Sequence, residues 1–167
     1  MKHPAAILPD KLMEQCDVVR TRRGGPGGQH RNKVSTAIVI THRPTKIVGA
    51  ASERRSQSEN LAVALSRLRM NLALAVRIEV TDDRRPSPLW LSFICHEKIK
   101  ISPRNDHFPV ILAEALDFVV AFNGQPHLAA ERLGVTGSQL TKLLQQEPAA
   151  WTVVSGIRKQ LGLKPLK

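Results

Sequence analysis

The sequence has few aromatic residues, few cysteines and no long apolar run. Aromatics make up 4% of the 167 residues and tyrosine is absent, so aliphatic side chains must form most of the core. Two cysteines, Cys16 and Cys95, are too few for a disulfide framework or a zinc site. No apolar run approaches the ~20 residues that cross a membrane, and Met1 is not followed by a signal-type segment. We therefore expect a cytoplasmic protein with two reduced thiols and no membrane partner.

Positive charge, by contrast, is abundant and unevenly placed. The formal net charge is +11 and the isoelectric point is about 10.5, which predicts a polyanionic partner. The segment 20–55 holds nine lysines and arginines against a single acid, Glu53. Seven of the nine are arginines, whose planar guanidinium group forms paired hydrogen bonds with phosphate. This pattern favours nucleic acid binding over a merely solvated basic surface.

A glycine-rich segment lies within this basic region. Residues 23–30 read RGGPGGQH, and the flanking residues 16–22 and 34–42 are typical of strands. A further strand over 47–51 is expected to pair with 34–42 as a hairpin. Glycine carries a large backbone entropy cost and proline lacks an amide donor, so the glycine-rich segment is predicted to be an exposed loop.

The next segment, residues 56–76, has the period of a long helix. Ser56 is a candidate N-cap, with Glu59 three residues later in a capping-box pattern. Apolar residues recur at spacings of three and four and predict one stripe that packs on the sheet. The residues of this stripe are Leu61, Leu65, Leu68, Leu72 and Val76.

The pattern as a whole predicts an α+β protein. A small β-sheet with a long packed helix carries the glycine-rich loop in residues 1–81, residues 82–103 form a linker or arm, and residues 104–167 form an all-helical module. Helices are expected over 109–122, 127–134, 138–146 and 151–161. The corner at Gly134 has the spacing of a helix-turn-helix, although any small helical bundle uses similar residues.

Three strings carry a resemblance to a known family: Gly25-Pro26-Gly27-Gly28-Gln29-His30-x-Asn32-Lys33, Thr41-His42-x-Pro44-Thr45 and Arg55-Ser56-Gln57-x-x-Asn60. Over residues 9–77 the chain resembles the catalytic domain of class I peptide chain release factors. No codon-reading domain precedes the loop, so the layout is most similar to that of stand-alone ribosome-rescue hydrolases. The resemblance implies codon-independent hydrolysis of the peptidyl-tRNA ester on stalled ribosomes, without a metal or cofactor.

The resemblance also implies roles for individual residues. The partners would be the 23S-type rRNA of the peptidyl-transferase centre and the P-site peptidyl-tRNA. The catalytic residues would be Gly27, Gly28 and Gln29, with the Gln29 backbone N–H stabilising an oxyanion. The RNA-contacting residues would be Arg20, Arg22, Arg23, His30, Arg31, Lys33, Arg54 and Arg55. The residues framing the loop would be Gly25, Pro26, Asn32, Ser56, Gln57 and Asn60.

Other interpretations of the loop were weighed. The phosphate-binding Walker pattern fails because no Gly-Lys-Ser/Thr follows the glycines. A dinucleotide fingerprint fails because the loop joins two strands instead of opening a crossover helix. A non-catalytic protein that binds the ribosome or another nucleic acid through this domain and a helix-turn-helix-like module stays open. A partner for the helical module also stays open.

Overall fold

The computed structural model describes residues 3–21 and 36–166, which divide into two compact units. The N-terminal unit is Lys2–Leu72 and the C-terminal unit is Ala73–Lys167. The first contains a small antiparallel sheet and a long helix, and the second is mainly helical. The predicted α+β class is thus confirmed. The functional boundaries at residues 81 and 103 stay predictions.

The sheet of the N-terminal unit has three antiparallel strands in the order β1-β2-β3. A short 3₁₀ turn, Pro4–Ala6, and helix α1, Pro9–Met13, precede it. The strands are β1 (Cys16–Thr21), β2 (Ala37–His42) and β3 (Val48–Ala51). Ile40 pairs with Val18 of β1 and with Gly49 of β3, so these three residues lie on one face of the sheet.

Helix α2, Gln57–Ala75, covers that face. Its buried row consists of Asn60, Ala64, Leu68 and Leu72, at a uniform spacing of four. A Cβ atom at Gly49 would lie 2.2 Å from the carbonyl oxygen of Ala64 and 2.5 Å from the nitrogen of Leu68. Only a residue without a side chain allows this close approach of helix and strand.

Helix α2 also covers the free edge of the sheet. Asn71 donates from Nδ2 to the carbonyl oxygen of Val48 at 2.7 Å, and Arg67 donates to that of Ala50 at 2.7 Å. These two carbonyls would otherwise be open to pairing with another strand. The side chains of α2 thus block edge-to-edge association at β3.

The C-terminal unit is built around one apolar helix. Its elements are α3 (Pro88–Ser92), β4 (Ile94–Cys95), β5 (Lys98–Ile99), α4 (Phe108–Ala121), α5 (Pro126–Leu133), α6 (Gly137–Gln145) and α7 (Pro148–Gln160). Helix α4 is buried along nearly its whole length and packs against α3, α5, α6 and α7. Such a helix, apolar on all sides, can only lie at the centre of its unit. Among the described residues, no helix is long and apolar enough to span a membrane.

Two buried carboxylates on α4 fix the segment that leads into this unit. Asp117 accepts hydrogen bonds from the Ile78 backbone N–H at 2.9 Å and from the guanidinium group of Arg84 at 3.1 Å. Glu114 accepts from the backbone N–H and the hydroxyl of Ser87, each at 2.6 Å. Residues 78–87 therefore lie against α4, held by partners about thirty residues further along the chain.

Helices α5 and α6 are joined by a tight corner of three residues, 134–136. Gly134 ends α5 in the left-handed region at φ 69°, and the Val135 N–H donates back to the Ala130 carbonyl at 3.0 Å. Thr136 then caps α6 by accepting from the Gln139 N–H at 3.3 Å. The buried Trp90 donates from Nε1 to the Leu133 carbonyl at 2.8 Å and ties α3 to the corner.

The candidate site at the base of the glycine-rich segment

The described residues include the base of the candidate site but not its glycines. The predicted residues outside the described ranges are Arg22, Arg23, Gly25, Pro26, Gly27, Gly28, Gln29, His30, Arg31, Asn32 and Lys33. Their roles stay predictions. The predicted residues that the structure describes are Arg20, Arg54, Arg55, Ser56, Gln57 and Asn60. These six lie at the end of β1 and around the start of α2.

The two ends of segment 22–35 are fixed next to each other. Thr21, the last residue of β1, pairs with Ala37, the first residue of β2. Thr36 lies between the segment and β2, and its carbonyl accepts a hydrogen bond from Asn60 Nδ2 at 2.6 Å. Thr21 and Thr36, the described residues on either side of the segment, therefore lie on a defined base.

Asn60 joins three parts of this base. Its side chain is fully buried, and Nδ2 donates to the carbonyls of Thr36 and Arg54, at 2.6 and 2.9 Å. Its Oδ1 accepts from the Arg54 N–H at 3.0 Å. One amide thus connects the start of β2, the residues before α2 and α2 itself. Only asparagine or glutamine offers both a donor and an acceptor of this kind, and glutamine is one methylene longer.

The start of α2 is capped as its sequence predicts. Ser56 Oγ accepts from the Glu59 N–H at 3.5 Å, and the Ser56 carbonyl accepts the Asn60 N–H at 3.1 Å. Gln57 is the first residue of α2 and is partly buried. The cap fixes where the helix begins, and hence where Asn60 lies relative to β2.

The described arginines between residues 20 and 67 fall into two groups. Arg43 binds the Cys16 carbonyl at 2.8 Å and Asp17 at 3.0 Å, and Arg67 binds Glu53 at 2.6 Å. The guanidinium groups of Arg43 and Arg67 therefore bind partners within the N-terminal unit. The side chains in the second group are exposed and form no ion pair with any other residue in 3–21 or 36–166; they belong to Arg20, Arg54 and Arg55.

This division gives the base of the segment an open positive surface. Arg20 is next to the end of β1, and Arg54 and Arg55 come directly before the cap of α2. The Arg54 backbone is fixed by Asn60 on both its N–H and its carbonyl. Exposed arginines on a fixed backbone suit bidentate contacts with phosphate. Net charge alone could not show which arginines are free.

His42 is a buried histidine at the opposite end of β2 from this base, where it pairs with Cys16, and it has a structural role. Its Nδ1 lies 2.7 Å from the Thr45 hydroxyl and its Nε2 lies 3.2 Å from Gln15 Oε1. Burial, with a smaller contribution from the nearby Arg43, lowers the pKa of His42 below its ordinary value. A neutral histidine with both ring nitrogens occupied holds the turn between β2 and β3 and does not transfer protons to a substrate.

The described residues form no cluster that could hold a metal ion. No group of three His, Cys, Asp or Glu side chains within them is placed to hold a metal ion. What they do assemble is a rigid base, made by Asn60 and the cap of α2, with arginines around it.

Comparison with known proteins places this region in a family. Residues 10–88 match the RF-1 domain family. The chain is 49% identical over 72 residues to peptide chain release factor PrfB1, chloroplastic, of Arabidopsis thaliana. It is 53% identical over 66 residues to peptide chain release factor 2 of Petrotoga mobilis and 55% identical over 59 residues to that of Treponema pallidum.

These alignments cover 40%, 40% and 35% of this chain, respectively. They cover 16%, 17% and 16% of the relatives. The chain thus spans only about a sixth of the length of the curated relatives that it matches. The family match, residues 10–88, contains the glycine-rich segment.

Proposed function

Because residues 10–88 belong to the RF-1 domain family, we propose that the chain hydrolyses the ester bond of peptidyl-tRNA at the peptidyl-transferase centre of the ribosome. The observation that carries the proposal is that the family match spans Gly27-Gly28-Gln29 together with the sheet and helix that frame them. The three relatives named above are peptide chain release factors. The reaction takes place where ribosomes are found, in the cytoplasm.

In the proposed mechanism the glycine-rich segment supplies the chemistry. Attack of water on the ester carbonyl develops an oxyanion, which preorganised N–H donors stabilise. The Gln29 backbone N–H is the proposed donor, and its side chain positions the attacking water. Glutamine is not a base near neutral pH, so proton transfer is left to groups of the RNA. Gly27 and Gly28 allow the backbone to approach the RNA closely.

The base of the segment supports this role through rigidity. A loop that must place one N–H against a reacting carbonyl gains from ends that do not move. Asn60 holds Thr36 at one end, and the β1–β2 pairing holds Thr21 at the other. We assign Asn60, Ser56 and Gln57 to this framework, together with Gly25, Pro26 and Asn32 of the segment.

The exposed arginines supply the contacts with RNA. Arg20, Arg54 and Arg55 surround the base, and their side chains form no ion pair among the described residues. We propose that they bind phosphates of rRNA or tRNA, together with Arg22, Arg23, His30, Arg31 and Lys33. Each such phosphate contact releases counterions, so binding to ribosomes should weaken steeply as salt rises.

We further propose that release does not require a stop codon. The support is the resemblance of residues 9–77 to the stand-alone rescue hydrolases, although the helical unit that follows differs from the flexible basic tail expected of them. The natural substrate would then be a ribosome stalled on an mRNA that offers no codon in the decoding site. The free charge around the segment is directed at RNA in general and does not discriminate one codon from another.

The test is peptide release from ribosomes stalled on truncated mRNA, with ribosomes paused at a sense codon and at a stop codon as comparison substrates. The full-length chain should release peptide on truncated mRNA. Gln29→Ala removes the side chain that positions the attacking water, and Gly28→Ala restricts the backbone that places the Gln29 N–H, so each should lower the rate by about a hundredfold. Lys159→Gln, an exposed change on α7, is the control and should release normally.

Two other results are informative. Release at stop codons alone would contradict the codon-independent proposal while leaving the hydrolase intact. Ribosome binding without release above the Gln29→Ala rate would contradict the hydrolase and favour the non-catalytic binding protein. Sedimentation with ribosomes, measured beside release, separates these outcomes.

A further inference from the structure

The exposed face of α6 is polar, and the proposed release reaction does not use it. Ser138, Thr141, Lys142 and Gln145 follow one another at spacings of three, one and three, so they share one side of the helix. Ser138, Lys142 and Gln145 are exposed and Thr141 is half-buried. The opposite side packs on α4, α5 and α7. Helix α6 contains no acidic residue.

An open groove of about 500 Å³ runs beside this face. Its walls are the four α6 residues just named, Gly137, the first turn of α5 with Pro126 and His127, and Leu166 near the end of the chain. A Cβ atom at Gly137 would lie 3.3 Å from the His127 Cα, so the two helices approach closely at the floor of the groove. The groove is therefore bordered by hydroxyl, amide, imidazole and ammonium groups together with the apolar side chains of Pro126 and Leu166.

A basic hairpin lies on α6 as well. Strand β5 contacts α6, and the β4–β5 hairpin carries Lys98, with Lys100 directly after it. Both lysines are exposed, as is Glu97 in the turn of the hairpin. With Lys142, the α6 region thus has three exposed cations against one exposed acid. A helix-turn-helix corner with an adjacent basic hairpin is a common form of nucleic acid surface.

We propose that the α6 face and its groove bind the backbone of double-stranded RNA. Ser138, Thr141 and Gln145 each donate and accept hydrogen bonds, which matches the ribose 2′-hydroxyl. The minor groove of A-form RNA is wide and shallow and displays those hydroxyls, so a helix face can lie against it. Lys142 binds a phosphate beside that groove. The inference rests on the proposed function, because a protein that acts on the ribosome meets RNA duplexes.

The chemistry of α6 favours RNA over DNA. A helix that enters the major groove of B-DNA contacts phosphates on both sides and usually carries several cations. Helix α6 carries one, Lys142, and its other exposed groups are neutral. A face of this kind is suited to shape and hydroxyl recognition and not to reading base sequence.

The test measures binding of the full-length chain to an RNA duplex of about 20 base pairs, a length that covers two minor grooves, and to a DNA duplex of the same sequence. Fluorescence anisotropy over a series of salt concentrations gives the affinity and its salt slope. Lys142→Glu should weaken RNA binding about tenfold, and Lys142→Gln should reduce the salt slope by about 1. Lys159→Gln, the same change in charge on α7, should affect both much less.

Several outcomes would overturn the inference. They are an unchanged RNA affinity for Lys142→Glu, a salt slope lowered equally by Lys142→Gln and Lys159→Gln, and an equal effect of Lys142→Glu on DNA binding. Because all the substituted positions are exposed, circular dichroism should confirm that each variant is folded. Gln29→Ala should leave duplex binding unchanged. Binding of the duplex by α6 can therefore be tested even if the chain releases no peptide.

Discussion

In the N-terminal unit the buried polar side chains are neutral or only weakly basic, whereas the C-terminal unit buries carboxylates against arginines. Among the described residues, the first group is His3, His42 and Asn60, and the second is Glu114 and Asp117. The N-terminal unit leaves Arg20, Arg54 and Arg55 exposed. The C-terminal unit instead turns Arg77 and Arg84 inward onto Asp117.

The difference follows from what each unit has to hold. In the N-terminal unit the residues that flank segment 22–35 have to be held on the sheet. The neutral Asn60 amide does this with hydrogen bonds and adds no charge beside the exposed arginines. The C-terminal unit has to hold a charged, proline-containing segment, residues 78–87, against an apolar helix. Buried carboxylates can accept several hydrogen bonds from such a segment at once. We therefore expect the two units to respond differently to loss of charge, loss of space and change of pH.

The largest effect is expected at Asp117. Asp117→Ala leaves the Ile78 N–H and the arginines Arg77 and Arg84 without their common acceptor. Both arginines are about a quarter exposed and can reach water, so the cost should be about 3 kcal/mol, near the lower end for a broken buried ion pair. Urea unfolding followed by tryptophan fluorescence measures it, because Trp90 and Trp151 both lie in the C-terminal unit.

Glu131→Gln provides the control for Asp117→Ala, because Glu131 is an exposed acid on α5. It should change the free energy of unfolding by less than about 0.5 kcal/mol. Equal losses for the two variants would mean that net charge, and not the buried network, stabilises the unit.

The next effect concerns space. Gly49→Ala places a methyl group against the α2 backbone, where it cannot fit unless the helix shifts, and should destabilise the N-terminal unit by about 2 to 3 kcal/mol. Gly156→Ala in α7 is the matched change, because no atom lies within 4 Å of the added carbon. There alanine should stabilise the helix by about 0.5 to 1 kcal/mol. Thermal unfolding by circular dichroism should therefore show shifts of opposite sign.

A smaller effect is expected at Asn60. Asn60→Ala removes the acceptor of the Arg54 N–H and the donors to the carbonyls of Thr36 and Arg54, at a cost of about 2 kcal/mol. Hydrogen exchange at the β2 amides should rise by one to two orders of magnitude, and peptide release should fall with it. Glu59→Gln changes the neighbouring exposed residue and serves as control. If hydrogen exchange rises in Asn60→Ala while peptide release stays normal, the hydrogen bonds of Asn60 are not needed for the reaction.

The sequence predicted the helices and strands of both units better than it predicted the long-range contacts within each unit. Helix α2 and the helices α4–α7 follow from apolar period and capping residues, which are local signals. The buried row of α2 includes Asn60 and Ala64, which a count of large apolar residues passes over. Residues 82–88 have the composition of a linker, yet Ser87 and Arg84 are bound by α4 from about thirty residues away. Contacts between residues so far apart in the chain produce no periodic pattern in the sequence.

The smallest effect, and the one that separates the neutral core from the charged one, is that of pH on His42. Burial, then Arg43, lowers the pKa of His42 below the ordinary value of 6.5. Below that pH His42 binds a proton in the unfolded chain more readily than in the folded unit. The N-terminal unit should therefore be stable above pH 6.5 and lose stability as the pH falls further. Urea titrations followed by NMR at the amides of β2 and β3 measure this at pH 7.5, 6.5 and 5.5. His42→Gln should flatten the dependence, since glutamine does not titrate. An equal slope in both proteins would place the acid sensitivity elsewhere and remove the contrast between the units.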